Sequence, residues 1–88
     1  MTDYDVTIMI ITELRRVFPE ITCYIDDEYI DVHFGDFIVC WLCVEQGLVR
    51  HNHNSAFELC DPDLMVKIID YVAEAILRGS NGRCNGID

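Results

Sequence analysis

The stretch Phe37-Ile38-Val39-Cys40-Trp41-Leu42-Cys43-Val44 places eight apolar residues in a row. Turn signals bound it, Gly35-Asp36 before and Glu45-Gln46-Gly47 after. A run of this length, rich in β-branched and aromatic side chains, reads as a strand buried on both faces. It is too short to cross a bilayer.

The neighbouring segments alternate. Ile21, Cys23 and Ile25 oppose Thr22, Tyr24 and Asp26, which predicts a half-buried strand; Ile30, Val32 and Phe34 oppose Tyr29, Asp31 and His33 in a second. Asp26-Asp27-Glu28 is a polar turn between them. Gly35-Asp36 reads as a two-residue hairpin loop with glycine where φ must be positive. That loop makes Phe34 and Phe37 neighbours on one face. Continued alternation then predicts Phe37, Val39, Trp41 and Cys43 on the core face of the third strand. Ile38, Cys40, Leu42 and Val44 are expected on the opposite face, beside Tyr24, Tyr29, Asp31 and His33. Such a face needs a cover: a second helix, a twin subunit or a partner.

After Glu45-Gln46-Gly47, read as a three-residue loop with the glycine in a bulge, a fourth strand runs from Leu48 towards His53, and Ala56 to Leu59 resumes it. The strands are flanked by helices. Thr2 can cap the first, with Asp3 and Asp5 in its first turn and Arg15 and Arg16 in its last, matching the macrodipole. Val6, Met9, Ile10, Leu14 and Val17 make its apolar face, and Pro19 stops it. Asp61-Pro62-Asp63 starts the second helix, whose apolar face is Leu64, Met65, Ile68, Val72, Ala75 and Ile76. It is expected to end near Arg78-Gly79 with glycine as the residue after the cap. The fold class is therefore α+β: an antiparallel three- to four-stranded meander between an N-terminal and a C-terminal helix. Residues 1–79 form the domain, and 80–88 are expected to be a mobile tail.

Composition narrows function. A chain of 88 residues supports one modest core. Sixteen acids against six lysines and arginines give a formal charge of −10, beyond the roughly 2–8 units usual for a small soluble domain. That argues against direct binding to nucleic acid or to anionic membrane, since phosphate contacts need Lys and Arg. The acidic N-terminus lacks the positive region of a signal peptide. Five cysteines, an odd number, fit reduced thiols in a cytoplasmic compartment.

No catalytic residue, cofactor or metal site emerges. Cys40 and Cys43 have metal-pair spacing, but residues three apart on a strand point to opposite faces. His51 and His53 share a strand face, yet no second ligand pair exists, and a polar strand end accounts for them. The chain has no Gly-rich phosphate loop and no nucleophile beside a base, so an enzyme is not expected.

Asp26, Asp27, Glu28, Asp31 and Asp36 put five acids into eleven residues of one hairpin. A solvated hairpin tip is the plain explanation. The sharper one is a recognition surface, with these acids and Tyr24 and Tyr29 around an apolar strip of Ile38, Cys40 and Leu42. Tyr24, Asp26, Asp27, Glu28, Tyr29, Asp31, Asp36, Ile38 and Leu42 are thus the candidate partner-binding residues.

In size, layout and acidity, and in the run Asp26-Asp27-Glu28-Tyr29-Ile30-Asp31, the chain resembles the small phage-encoded inhibitors of bacterial defence, anti-CRISPR proteins among them. The resemblance implies a protein that fills a basic, nucleic-acid-binding surface of a host protein in the host cytoplasm. It shares no motif, so no residue role is carried over. The alternative is a homodimer or adaptor pairing through its apolar sheet face.

Overall fold

The structure, a computed structural model, describes residues 2–52 and 54–82, with side chains as far as residue 79. The elements run α1 (Asp3–Val17), β1 (Ile21–Asp26), β2 (Tyr29–Phe34), β3 (Phe37–Glu45), β4 (Leu48–Asn52), β5 (Ser55–Glu58) and α2 (Leu64–Gly82). The strands form one antiparallel sheet in the order β1-β2-β3-β4-β5. The fold is α+β, a helix, a meander and a helix. Ser55–Glu58 is a separate fifth strand, because β4 and β5 form a hairpin of their own.

Helix α1 starts with a reciprocal cap. The Thr2 hydroxyl accepts the Asp5 N–H at 3.1 Å, and the Asp5 carboxylate accepts the Thr2 N–H at 3.0 Å. Two of the orphan donors of the first turn are satisfied in this way. At the start of α2 the Asp61 carboxylate accepts the Asp63 N–H at 2.8 Å and pairs with Lys67.

Both helices lie on the same side of the sheet. Val6, Ile10 and Leu14 of α1 and Leu64, Ile68 and Val72 of α2 join Ile30, Val32, Leu42 and Val49 in one buried cluster. Helix α1 packs over β1 and β3, α2 over β3 and β5, and the two helices touch. The central strand β3 thus carries both. The result is two layers, with the other sheet face uncovered by either helix.

Helix α2 does not stop at Gly79. It continues to Gly82, so the expected end at Arg78-Gly79 is corrected, and the start of the expected tail at residue 80 is helical. Residues 83–88, the rest of that tail, lie outside the described residues. Gly79 serves packing instead, for the Phe37 ring stands where its Cβ would be.

The faces of β3 also differ from simple alternation. Phe37 pairs with Phe34 and Ile38 with His33, as the tight Gly35 turn requires (φ +61°). The next pair is Cys40 with Val32, not Val39 with Val32. Val39 is an extra residue, a β-bulge, and it reverses the parity of all that follows. Cys40, Leu42 and Val44 turn into the core, where Leu42 is 0 % exposed. Trp41 and Cys43 turn to the open face, opposite Asp31 and Tyr29. The expected core residues Trp41 and Cys43, and the expected surface residues Cys40, Leu42 and Val44, therefore exchange places.

The β3–β4 loop is likewise shorter than expected. Glu45 pairs with Leu48, leaving a two-residue turn in which Gln46 and Gly47 both have positive φ (+51° and +79°). That is the backbone of a mirror-type hairpin turn, whose twist suits the strands.

The open sheet face as a candidate protein interface

Register and parity arrange the open face in cross-strand rows. Thr22, His33 and Ile38 make one; Tyr24, Asp31 and Trp41 the next; Asp26, Tyr29, Cys43, Arg50 and Ala56 the third. The aromatic rings interlock edge to face between adjacent rows. Tyr24 meets His33 with centroids 5.0 Å apart, and Tyr29 meets Trp41 at 5.4 Å, both at 77°. Such pairs hold large side chains in one orientation, adding about 0.5–1.5 kcal/mol each beyond burial. Even so, Tyr24 is 55 % and Ile38 69 % exposed. The centre of this face is a preformed apolar and aromatic surface.

Carboxylates interleave with the rings. Asp31 sits between Tyr24 and Trp41 in register, and Asp26 lies across from Tyr29. From residue 17 to residue 49 the chain holds seven acids and no lysine or arginine. Four of its six basic residues are engaged by other acids: Arg16 by Glu13, Arg50 by Glu45, Lys67 by Asp61 and Arg78 by Glu74. Among the described residues, Asp26, Asp31 and Asp36 enter no ion pair. Their field is not neutralised locally.

One end of the face carries a denser polar group. The Glu45 carboxylate accepts a hydrogen bond from Arg50 at 2.9 Å. That bond, before any other cause, holds Glu45 below the usual carboxylate range. Cys43 is 3 % exposed beneath its neighbours, and burial, then the Glu45 and Glu28 charges, push its thiol up. One ligand atom each from Glu28, Cys43 and Glu45 lies within 4.8 Å of the others. The Arg50 guanidinium already supplies the cation at this carboxylate pair.

Among the described residues, Cys40 and His51 are no better placed for chemistry. Burial pushes Cys40 up to about 12, with Cys23 adding to it. His51 is a bulge residue of β4 that turns towards α2, not to an open strand face. It stacks on Phe57 at 4.3 Å and meets Tyr71 at 4.5 Å. The Tyr71 hydroxyl donates to the His51 carbonyl at 3.0 Å. Its Nδ1 is buried without a partner, and desolvation lowers its pKa. His53 lies outside the described residues.

Of the expected partner-binding residues, the structure brings Tyr24, Asp26, Tyr29, Asp31 and Ile38 onto one face. Asp27 and Glu28 form the β1–β2 turn at one end of it. Asp36 lies in the β2–β3 turn, at the other end of six-residue β2 and so roughly 20 Å away. Leu42 is withdrawn from the site, because the Val39 bulge turns it into the core. His33 lies on this face as alternation expects, whereas Trp41 and Arg50 are residues of it that alternation missed. No protein-family model, curated protein or solved structure matches the chain.

Proposed function

We propose that this chain is a non-catalytic protein-binding module that sets its open sheet face against a basic surface of a partner, one that otherwise holds nucleic acid, and inhibits it, as anti-CRISPR and other anti-defence proteins do. One observation carries the reading: Tyr24, Tyr29, Trp41 and Ile38 lie on an uncovered face interleaved with Asp26 and Asp31, in a stretch without a basic residue. An aromatic centre with a charged surround is the layout in which a few large side chains carry affinity. The acids speed encounter with a basic partner and make it salt-sensitive. A reducing cytoplasm suits the free thiols.

The test is capture from nuclease-treated host lysate at low and high salt. Wild type is compared with an Asp26→Asn/Asp31→Asn/Tyr24→Ala variant. A basic nucleic-acid-handling protein retained at low salt, displaced by added nucleic acid and lost with the variant, supports the reading. A partner held equally by wild type and variant, or indifferent to nucleic acid, overturns it. The competing use of the same face is pairing of two copies through exposed Ile38. A dimer in sedimentation that Ile38→Asp converts to monomer would establish that instead.

A further inference from the structure

A recess lies on the helix side of the sheet, where the first turns of α1 face the β1–β2 turn. Ile25 and Val44 floor it, Tyr4 and Thr7 form its helical wall, and Asp3, Asp27 and Glu28 stand along it. Ile25 belongs by parity to the core face, since it pairs with buried Ile30, yet it is 50 % exposed. Tyr4 is 66 % exposed. The recess is an uncovered corner of the core, acidic along its wall and with no basic residue lining it. Its volume of about 230 Å³ falls below the roughly 300–1,000 Å³ of sites for whole small-molecule ligands. It matches a single long side chain.

We infer that this groove takes an arginine or lysine side chain presented by a protein partner. The aliphatic stem of such a residue packs on apolar surface while its charged head stays at the polar rim. Here the stem would lie on Ile25 and Val44, with the Tyr4 ring as a cation–π neighbour. The head would meet the Asp3, Asp27 and Glu28 carboxylates. Neither a neutral nor an acidic side chain satisfies both the floor and the rim. The inference rests on the proposed docking to a basic surface and adds to it a particular anchor. Glu28 links the two, because its carboxylate lies within 4.8 Å of ligand atoms of Cys43 and Glu45 at the end of the open face and also lines the groove. A basic segment rounding the β1–β2 turn would touch both.

The experiment is amide NMR of the full chain titrated with an arginine–glycine repeat peptide, and with a norleucine–glycine control. Saturable shifts at Tyr4, Thr7, Ile25 and Asp27 with the arginine peptide only are the expected result. The Asp3→Asn/Asp27→Asn variant should weaken them by roughly twofold to fivefold per charge removed. Asparagine tolerates the positive φ of Asp27 (+57°), and circular dichroism checks the fold. Shifts confined to Tyr24, Asp31 and Trp41 would overturn the groove and leave the open-face reading standing. Shifts confined to the groove would support the anchor and count against the open face. Equal response to the norleucine peptide, or no response, would overturn the groove.

Discussion

The ring of Phe37 stands in the space that a Cβ on Gly79 would fill. This ties the start of β3 to the last turns of α2, and Phe37 also meets Phe34 at 6.0 Å. Glycine inside a helix costs roughly 0.8–1.0 kcal/mol relative to alanine, so the exchange Gly79→Ala would ordinarily stabilise. Here overpacking, typically about 1–3 kcal/mol, should exceed that gain and lower stability by about 1 kcal/mol in denaturant unfolding. In a Phe37→Ala background the same exchange should raise stability by nearly the helix-propensity difference. Additive effects in that cycle would dismiss the contact.

Leu42 and Ile38 lie four residues apart on one strand and respond oppositely. Leu42 is fully buried among both helices, whereas Ile38 is 69 % exposed on the open face. Leu42→Asp places a carboxylate in an apolar core without a partner. A loss of about 4 kcal/mol or more is expected, enough to abolish cooperative thermal unfolding in a domain of this size. Ile38→Asp should change stability by no more than about 0.5 kcal/mol. A folded Leu42→Asp protein would show that the bulge at Val39 is absent in solution.

That pair also marks what the sequence made legible. Hairpin Tyr29–Phe34 to Phe37 was readable because Gly35-Asp36 is a strong turn signal and the letters before it alternate. The faces of both helices were readable from three- and four-residue spacing, down to the Thr2 cap, except at Val17, which lies exposed at the end of α1. The site was readable through β2, whose polar residues Tyr29, Asp31 and His33 alternate with buried ones. Beyond Ile38 it was not, because eight consecutive apolar residues carry no parity. A bulge at Val39 leaves no mark where its neighbours are as apolar as it is. The role of Gly79 was hidden for a related reason: glycine near a helix end reads as a stop, and only the tertiary approach of Phe37 gives it another purpose.

Thiol reactivity should rank the cysteines by burial. Cys60 is exposed, with its thiol 3.5 Å from a Glu58 carboxylate oxygen. Cys40 and Cys43 are buried with their thiols held protonated, Cys40 up to about 12. Only the thiolate alkylates readily. In native protein at neutral pH, iodoacetamide followed by peptide mass spectrometry should find Cys60 modified well before Cys40 and Cys43. Addition of denaturant should bring all three to similar rates. Early labelling of Cys43 would mean that the Tyr29, Trp41 and Arg50 side of the open face does not stay closed over it.

His51 gives the fold a dependence on pH in the range above carboxylate titration. Its ring lies between Phe57 and Tyr71, its Nδ1 is buried without a partner, and desolvation lowers its pKa from the ordinary 6.5. The folded protein therefore keeps this imidazole neutral at a pH where the unfolded chain has begun to take up its proton. The contribution is full above about pH 6.5 and falls as pH drops towards the folded value. Glu45 and Asp61, lowered chiefly by hydrogen bonds from Arg50 and Lys67, act in a separate window, from about pH 4 downwards. Urea unfolding at pH 7, 6 and 5 should show a decline in wild type that is reduced in His51→Phe. That substitution keeps a ring against Phe57 and removes the orphaned nitrogen, so it should also stabilise at pH 5 by about 1 kcal/mol. An unchanged slope between pH 7 and pH 5 in His51→Phe would show that the ring is solvated and that another group sets the dependence.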